Sequence, residues 1–257
     1  MINKHLLLWI MLLHPICAKA QWQGYLIANI DWAKISGYSQ IPKGGTVGSS
    51  SFERPSFQEL SITQAFFYEL GLGIKYHDYY MQLDYIPLQV HSNTVLTETL
   101  ITHARTIPAG SPFSANILYQ WFIYHLGKDF HFAKWTLSPE IQANYLRYGY
   151  HFSSPLAASK RAFNPFAISA SVKILHPFTQ KLSTDLQGAI TFPGTNLQIG
   201  SATFGVNYQV PYHRMQVVPR LAMGLLQIDY QDKQPLPNHI RYNAAPFVQL
   251  GVTLIFN

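Results

Sequence analysis

Charged side chains fall on alternating positions within several apolar segments, a spacing that places them on one face of a β-strand. The set contains four acids and five bases: Glu69, Lys75, Asp84, Lys134, Glu140, Lys173, Lys181, Asp185 and Arg220. In a narrow closed sheet, inward side chains nearly fill the bore, so acids and bases in similar numbers can pair across it. We therefore predict a charge-paired lumen. Two interpretations remain open: a polar network that shuts the bore, or a narrow water path with weak ion selectivity.

Histidines are the other side chains whose chemistry needs an interpretation. Four of them lie in or beside predicted short turns: His77, His131, His176 and His213. They predict either a ring that binds metal or senses acid pH, or polar turn residues at a membrane interface. The sequence has no HxH or HExxH spacing, and its one cysteine is Cys17. We therefore expect no metal ion, no other cofactor and no catalytic residue.

The charged positions belong to long segments with a period of two residues. In residues 60–76, side chains such as Phe66 and Leu70 alternate with Glu69 and Gly71. This alternation is typical of strands whose two faces meet different surroundings. The pattern predicts ten strands, at residues 23–34, 60–76, 80–95, 114–126, 132–148, 164–175, 180–192, 198–210, 215–230 and 241–256.

The connections between these segments alternate in length. Short ones fall near residues 77–79, 127–131, 176–179 and 211–214, and longer ones fall at 35–59, 96–113, 149–163 and 231–240, with a short fifth member at 193–197. If the chain starts in the periplasm, every short connection lies there and the others lie outside the cell. An even strand number with short inner turns and long outer loops is typical of outer-membrane barrels.

The faces predicted to point outward are apolar, and the opposite faces carry the charges. In the last segment this rule places Tyr242 outward, together with Val248 and Leu250. A secreted β-sandwich also alternates, but its outer face would be rich in Lys, Glu and Thr, and its strands usually have about 5–6 residues. The pattern therefore favours an all-β fold, a transmembrane antiparallel up-and-down β-barrel of about ten strands.

Composition and the first residues favour export to a membrane. Charged residues make up only 12% of the 257 residues and aromatic residues 14%. These shares exclude a disordered chain and argue against an ordinary cytosolic enzyme, while a mean hydropathy of +0.02 is too low for a helical membrane protein. Residues 1–20 have a positive start at Lys4, an apolar core and the small-x-small site Ala18-Lys19-Ala20. We predict a cleaved signal peptide at 1–20 and one barrel domain at 21–257.

The signal peptide, the ten alternating segments and the final strand YNAAPFVQLGVTLIFN resemble the small bacterial outer-membrane β-barrel proteins over the whole mature chain. The resemblance implies the outer membrane of a Gram-negative bacterium, contact with membrane lipid and lipopolysaccharide, and folding by the barrel-assembly machinery. That machinery usually recognises a final aromatic residue, whereas here Phe256 is penultimate. We expect a monomer and, because Lys and Arg are scattered, no nucleic-acid partner.

The resemblance leaves three functions open. We predict a structural protein or a narrow porin-like channel, without enzymatic activity. A lipid hydrolase is the first alternative, because barrel-type lipid A deacylases use a His and a Ser two residues apart on a late strand; His239 is similarly placed, but no serine follows at that spacing. A surface adhesin acting through its loops is the second. The ten-stranded omptin proteases are similar in strand count, yet the acids of the external loops include no adjacent pair.

Overall fold

The chain folds into a closed barrel of ten long antiparallel strands. The computed structural model describes residues 22–44, 52–235 and 237–256, so the predicted signal peptide lies outside the described residues. The barrel strands are β1 (Trp22–Lys34), β2 (Gln64–Tyr76), β3 (Tyr79–Val95), β4 (Pro112–Lys128), β5 (Trp135–Ser153), β6 (Phe166–Pro177), β7 (Leu182–Thr191), β8 (Leu197–Tyr208), β9 (Met215–Gln231) and β10 (His239–Phe256).

Each barrel strand pairs with the next one along the chain, and β10 also pairs with β1, which closes the sheet. The predicted all-β antiparallel barrel of ten strands is therefore confirmed. In the part of the chain that the structure describes, no helix is long and apolar enough to cross a membrane.

The two ends of the barrel differ in the length of their connections. At the turn end, the connections are residues 77–78, 129–134, 178–181 and 209–214. At the loop end, they are residues 35–63, 96–111, 154–165, 192–196 and 232–238. The described residues of the connections contain seven short strands: Gly37–Pro42, Phe52–Glu53, Leu100–Thr102, Arg105–Ile107, Phe130–Phe132, Ala158–Phe163 and Val210–Tyr212. Because Gly37–Pro42 pairs with β10 and Ala158–Phe163 pairs with β5, two loop-end connections extend the barrel wall.

Side chains along the barrel strands alternate between the outer surface and the bore. On β7, Leu186 points outward and is 53% exposed, whereas the preceding Asp185 points inward and is 3% exposed. On the neighbouring β6, Lys173 faces the same interior. This alternation follows from the period of two residues once a sheet closes on itself.

The second strand begins later than the sequence predicts. It starts at Gln64 rather than at residue 60, because the preceding residues belong to a loop-end core. Leu60 and Ile62 are both buried in that core, where they pack among other loop residues. Their alternation with Ser61 imitates a strand, although the chain has already left the barrel wall.

A β-bulge in β10 reverses the predicted face of Tyr242. Tyr242 pairs with Ile228 and Ala245 pairs with Leu226, so β10 has two residues between these pairs where β9 has one. The inserted residue shifts the alternation by one position, and Tyr242 points into the barrel at 7% exposure. The predicted outward position was wrong because strict alternation takes no account of an inserted residue.

Two inward-facing glycines make room for tyrosine rings from the neighbouring strands. A Cβ atom on Gly73 would lie 2.3 Å from the ring of Tyr25, and one on Gly127 would lie 2.4 Å from the ring of Tyr80. The hydroxyl of Tyr80 then donates a hydrogen bond to Glu140 Oε2 at 3.0 Å. Because Gly127 has no side chain, it leaves room for the Tyr80 ring, whose hydroxyl reaches the charged interior.

Adding one methyl group at this position should strain the barrel wall. We expect Gly127→Ala to lower the free energy of unfolding by about 1–2 kcal/mol, because Tyr80 must leave its position and lose its bond to Glu140. Urea unfolding in detergent, followed by tryptophan fluorescence, measures the change. Gly200→Ala is the matched control, because nothing lies within 4 Å of its added Cβ. Equal stability of the two variants would contradict the contact.

Candidate functional site

An internal cavity of about 600 Å³ occupies the bore and is lined by side chains from all ten strands. Towards the loop end its wall is mainly apolar and includes Ile86, Leu88 and Trp121. Towards the turn end the wall contains more polar side chains, among them Gln23 and Gln209. Most of the charged side chains lie between these two regions and form two groups.

The first group, here called the histidine cluster, consists of Asp84, His125 and Glu140 on three consecutive strands. His125 Nε2 lies 2.9 Å from Asp84 Oδ2, and His125 Nδ1 lies 3.2 Å from Glu140 Oε1. All three side chains are buried. Gln82 donates to both oxygens of Asp84 at 2.8 and 2.7 Å, and Tyr80 donates to Glu140. His125 therefore lies between two carboxylates, and nearby opposite charges favour the cationic form of an imidazole.

The second group, here called the arginine cluster, consists of Asp31, Glu69, Asp185, Arg220 and Gln249. Arg220 Nη2 lies 2.8 Å from Asp185 Oδ1, and Arg220 Nη1 donates to the side-chain carbonyl of Gln249. The amide nitrogen of Gln249 donates to Asp31 Oδ1 at 3.0 Å and to Glu69 Oε2 at 3.2 Å. Gln249 therefore connects the arginine to two acids that the guanidinium itself does not contact.

The structure places the remaining predicted lumen charges at different levels. Lys75 lines the cavity near the turn end, where it forms an ion pair with Asp129, and Lys173 also lines the cavity. The predicted lumenal positions of Lys134 and Lys181 are corrected, because both side chains are exposed in turn-end connections outside the bore. Each falls at the edge of a predicted strand, where the alternation continues in the sequence although the chain has turned out of the wall.

The predicted pairing between acids and bases is also corrected. Of the four predicted acids, only Asp185 has a predicted basic partner in contact, namely Arg220. Asp84 and Glu140 face a histidine, and Glu69 accepts hydrogen bonds from amides, including Asn29 Nδ2 at 2.8 Å. Side-chain amides therefore donate some of the hydrogen bonds to these acids for which the sequence analysis had predicted lysines as partners.

Sequence reasoning missed two acids and one histidine of the lumen. His125 was overlooked because the nearly charge-balanced set counted only Asp, Glu, Lys and Arg. Asp31 follows Asn29 by two residues, so alternation carried a signal for an inward position. Asp129 lies in the connection 129–134, where no period exists, and it reaches Lys75 only because the connection folds beside β2.

Aromatic side chains fill the bore on the loop-end side of the cavity. The ring centroid of Tyr119 lies 4.8 Å from that of Tyr148 and 5.1 Å from that of Tyr242. Because β4 and β10 are not neighbours in the sheet, the Tyr119–Tyr242 contact crosses the bore. Phe57 of the connection 35–63 packs on Tyr242 at 4.7 Å. The buried set, here called the aromatic plug, comprises Phe57, Leu60, Tyr119, Tyr148, Tyr150, Phe152 and Tyr242.

The connection 96–111 is tied to the aromatic plug through His103. His103 Nε2 accepts a hydrogen bond from Arg161 Nε at 2.9 Å and lies 3.3 Å from the hydroxyl oxygen of Tyr150. The backbone N–H of His103 donates to the carbonyl of Pro42 at 2.9 Å. Burial and, after it, the charge of Arg161 lower the pKa of His103, so the ring is neutral at neutral pH and accepts this bond. Three loop-end connections are thereby held together above the plug.

The four turn histidines do not come together. They lie in or beside four different turn-end connections: His77, His131, His176 and His213. His77 and His213 occupy left-handed positions with φ of 54° and 52°, a conformation in which His is over-represented. Within the described ranges of the chain, no three His, Cys, Asp or Glu side chains form a group that would hold a metal ion. The arrangement is that of polar turn residues.

His239, the histidine considered for a lipid hydrolase, lies on the outer face near the loop end. His239 Nε2 lies 2.6 Å from Asp229 Oδ1, and Nδ1 lies 3.1 Å from the hydroxyl oxygen of Tyr38. The hydroxyl within reach is therefore a phenol. Among the hydrogen bonds of the described residues, none joins His239 to a serine, so the couple lacks the nucleophile that a serine hydrolase needs.

The comparisons with known proteins concern the fold alone. A scan against protein-family models and a search of curated protein sequences each return no match. Among solved structures, the chain is similar to the outer membrane protease OmpT from Escherichia coli, with a TM-score of 0.46, 9% identity and coverage of 90% of this chain and 96% of that one. It is also similar to the translocator domain of the autotransporter NalP from Neisseria meningitidis, with a TM-score of 0.44, 8% identity and coverage of 98% and 95%. The attachment invasion locus protein Ail of Yersinia pestis matches with a TM-score of 0.39, 6% identity and coverage of 91% and 99%.

Removing the guanidinium of the arginine cluster should destabilise the barrel. We expect Arg220→Ala to lower the free energy of unfolding by about 3 kcal/mol, because Asp185 loses its cation while it stays buried. Lys181→Ala is the control, because Lys181 was predicted to be lumenal but is exposed in a turn, and its removal should change stability by less than about 0.5 kcal/mol. Urea unfolding of both variants in the same detergent compares them. A similar decrease in the free energy of unfolding in the two variants would mean that the Arg220–Asp185 ion pair does not stabilise the barrel.

Proposed function

We propose that the chain is an integral outer-membrane barrel whose bore is shut, and that it acts as a closed structural barrel rather than as an open porin. In this arrangement the turn end faces the periplasm and the loop end faces the outside of the cell. Membrane lipid and lipopolysaccharide surround the wall. The single observation that carries the proposal is the aromatic plug, because its rings contact one another across the bore.

The outer surface of the wall supports the placement in a membrane. Large apolar side chains that are more than half exposed occur on many strands, among them Ile30, Phe66, Ile190, Met223 and Leu250. A soluble protein rarely exposes a continuous apolar surface of this kind. Exposed aromatic residues also gather near the turn end: Tyr76, Tyr79, Phe132, Trp135, Tyr208 and Tyr212. Aromatic rings at the end of an apolar wall are typical of a membrane–water interface.

Two features support a shut bore. The aromatic plug holds Phe57, Tyr148 and Phe152 fully buried, which supports a bore that is filled at this level. Loop residues also bond to wall residues across the bore, since Ser39 Oγ lies 3.1 Å from the hydroxyl oxygen of Tyr148 on β5. Below the plug, most of the charged groups contact amides or one another, as expected for a polar interior that adds to stability.

Charge placed on the outer wall should impair insertion. We expect Leu186→Arg to cost about 2–4 kcal/mol of stability in a bilayer, because the guanidinium enters hydrocarbon near the middle of β7. Lys173→Ala, on the inner face of the adjacent strand, should be tolerated better. The fraction of heat-modifiable folded barrel in liposomes measures both. Equal tolerance of the two changes would mean that the wall does not face lipid.

The shut bore predicts the electrical behaviour of the purified protein. In planar bilayers we expect the wild type to show little or no conductance, and the Tyr119→Ala/Tyr242→Ala double variant to show discrete channel openings, because it removes the contact that crosses the bore. Tyr212→Ala, an exposed turn-end ring, is the control and should stay closed. Heat-modifiable gel mobility verifies that each variant is folded. Stable conductance steps from the wild type would overturn the closed barrel in favour of the narrow channel.

A further inference from the structure

Two acids on one side of the cavity have no basic side chain in contact. Asp31 Oδ1 and Glu69 Oε2 accept from the same amide nitrogen of Gln249, and Glu69 Oε2 also accepts from Asn29. Asp31 is 2% exposed, and within the described chain its Oδ2 atom has no hydrogen-bond partner, although the residue lines the cavity. A buried carboxylate oxygen without a donor is costly, and a cation bound in the cavity beside this residue would lower that cost.

Arg220, the cation of the arginine cluster, already contacts other side chains. Arg220 contacts Asp185 through Nη2 and Gln249 through Nη1, and the Gln249 amide lies between the guanidinium and the two acids Asp31 and Glu69. This amide is oriented by both contacts: its oxygen accepts from the guanidinium and its nitrogen donates to the two acids. The side of the cavity next to Asp31 and Glu69 is therefore acidic.

The charges of the whole cavity point the same way. The six acids that line it are Asp31, Glu69, Asp84, Asp129, Glu140 and Asp185, and the lysines and arginines that line it are Lys75, Lys173 and Arg220. Counting His125 as a fourth cation still leaves two more acidic than basic side chains on the cavity wall. Low-dielectric walls concentrate such a field and favour an entering cation.

Aromatic residues line the cavity on the two strands that flank Asp31. Phe67 on β2 is its cross-strand partner, and Phe247 on β10 pairs with Ala33, two residues further along the same face. Both rings line the cavity, as does Trp121 on β4. Aromatic faces attract ammonium groups and also pack against apolar groups, so the site combines carboxylates for a cationic head with rings for an apolar body.

We propose that the cavity binds a small organic ammonium ion, with the ammonium group at Asp31 and Glu69 and the apolar part against Phe67 and Phe247. A cavity of about 600 Å³ matches the size of sites for small organic molecules and is far larger than a metal ion needs. The proposal adds a ligand class to the closed barrel. Because the proposed plug shuts the loop end of the bore, the ion would enter the cavity from the turn end. This entry route rests on the proposed function, whereas binding itself does not.

Isothermal titration of the folded barrel in detergent with 2-phenylethylammonium tests the site, with 2-phenylethanol as the neutral probe of similar shape. The wild type should bind the ammonium at least tenfold more tightly than the alcohol. Asp31→Asn, which keeps the size of the side chain and removes its charge, should weaken ammonium binding at least tenfold and leave the alcohol unchanged. Glu98→Gln, at an exposed loop-end acid, is the matched control and should bind as the wild type does.

Three results would overturn the site. Equal binding of ammonium and alcohol would mean that the two acids are neutral in the cavity. Unchanged ammonium binding by Asp31→Asn and by Glu69→Gln, which serves as the second variant should the first fail to fold, would place the ligand elsewhere. Displacement of the probe by equimolar Mg²⁺ would identify an inorganic cation site. Failure of the closed barrel is distinguishable, because conductance of the wild type overturns the plug and leaves these affinities as they are.

Discussion

Pairing between the first and last strands is the constraint on which the rest of the molecule depends. β1 and β10 hydrogen-bond from Gly24 with Phe256 to Ala33 with Phe247, and this contact leaves the sheet without a free edge. A sheet surrounded by hydrocarbon has no water to satisfy an unpaired strand, so closure is what makes the apolar outer wall possible. Closure also commits every second residue to an enclosed space. The charges, amides and rings of the interior are consequences of that enclosure.

The buried acids of the interior are stabilised more by hydrogen bonds from side-chain amides than by ion pairs. The side-chain oxygen of Gln249 accepts a hydrogen bond from the guanidinium of Arg220, and its amide nitrogen donates hydrogen bonds to two acids. Gln82 and Gln142 perform a similar task beside the histidine cluster, where they donate to Asp84 and Glu140. An amide carries both a donor and an acceptor, so it connects groups that lie too far apart to pair directly. The result is a connected polar layer across several strands.

Above that layer the interior changes from polar to aromatic, and the loops take part in it. Phe57 and Leu60 come from the connection between β1 and β2, yet they are buried as deeply as any wall residue. The loops are held in turn by His103, which bonds to a second connection through Arg161 and to a third through Pro42. Burial of apolar loop residues and mutual hydrogen bonding between loops explain why the loop end forms a core of its own.

The sequence by itself determined the strand number, the order of the strands and most outward faces, because those features are local: a period of two residues appears wherever one face meets lipid and the other does not. It predicted Glu69, Asp84, Glu140 and Asp185 on an inner face for the same reason. Only the tertiary structure decided the partners of these acids, the inward turn of Tyr242 at the bulge and the exposed positions of Lys134 and Lys181. Partners such as Asp31 and Gln249 are brought together by closure and by the register between strands far apart in sequence. No local pattern encodes those distances, and for this reason the plug, the two clusters and the acidic side of the cavity became visible only in the folded barrel.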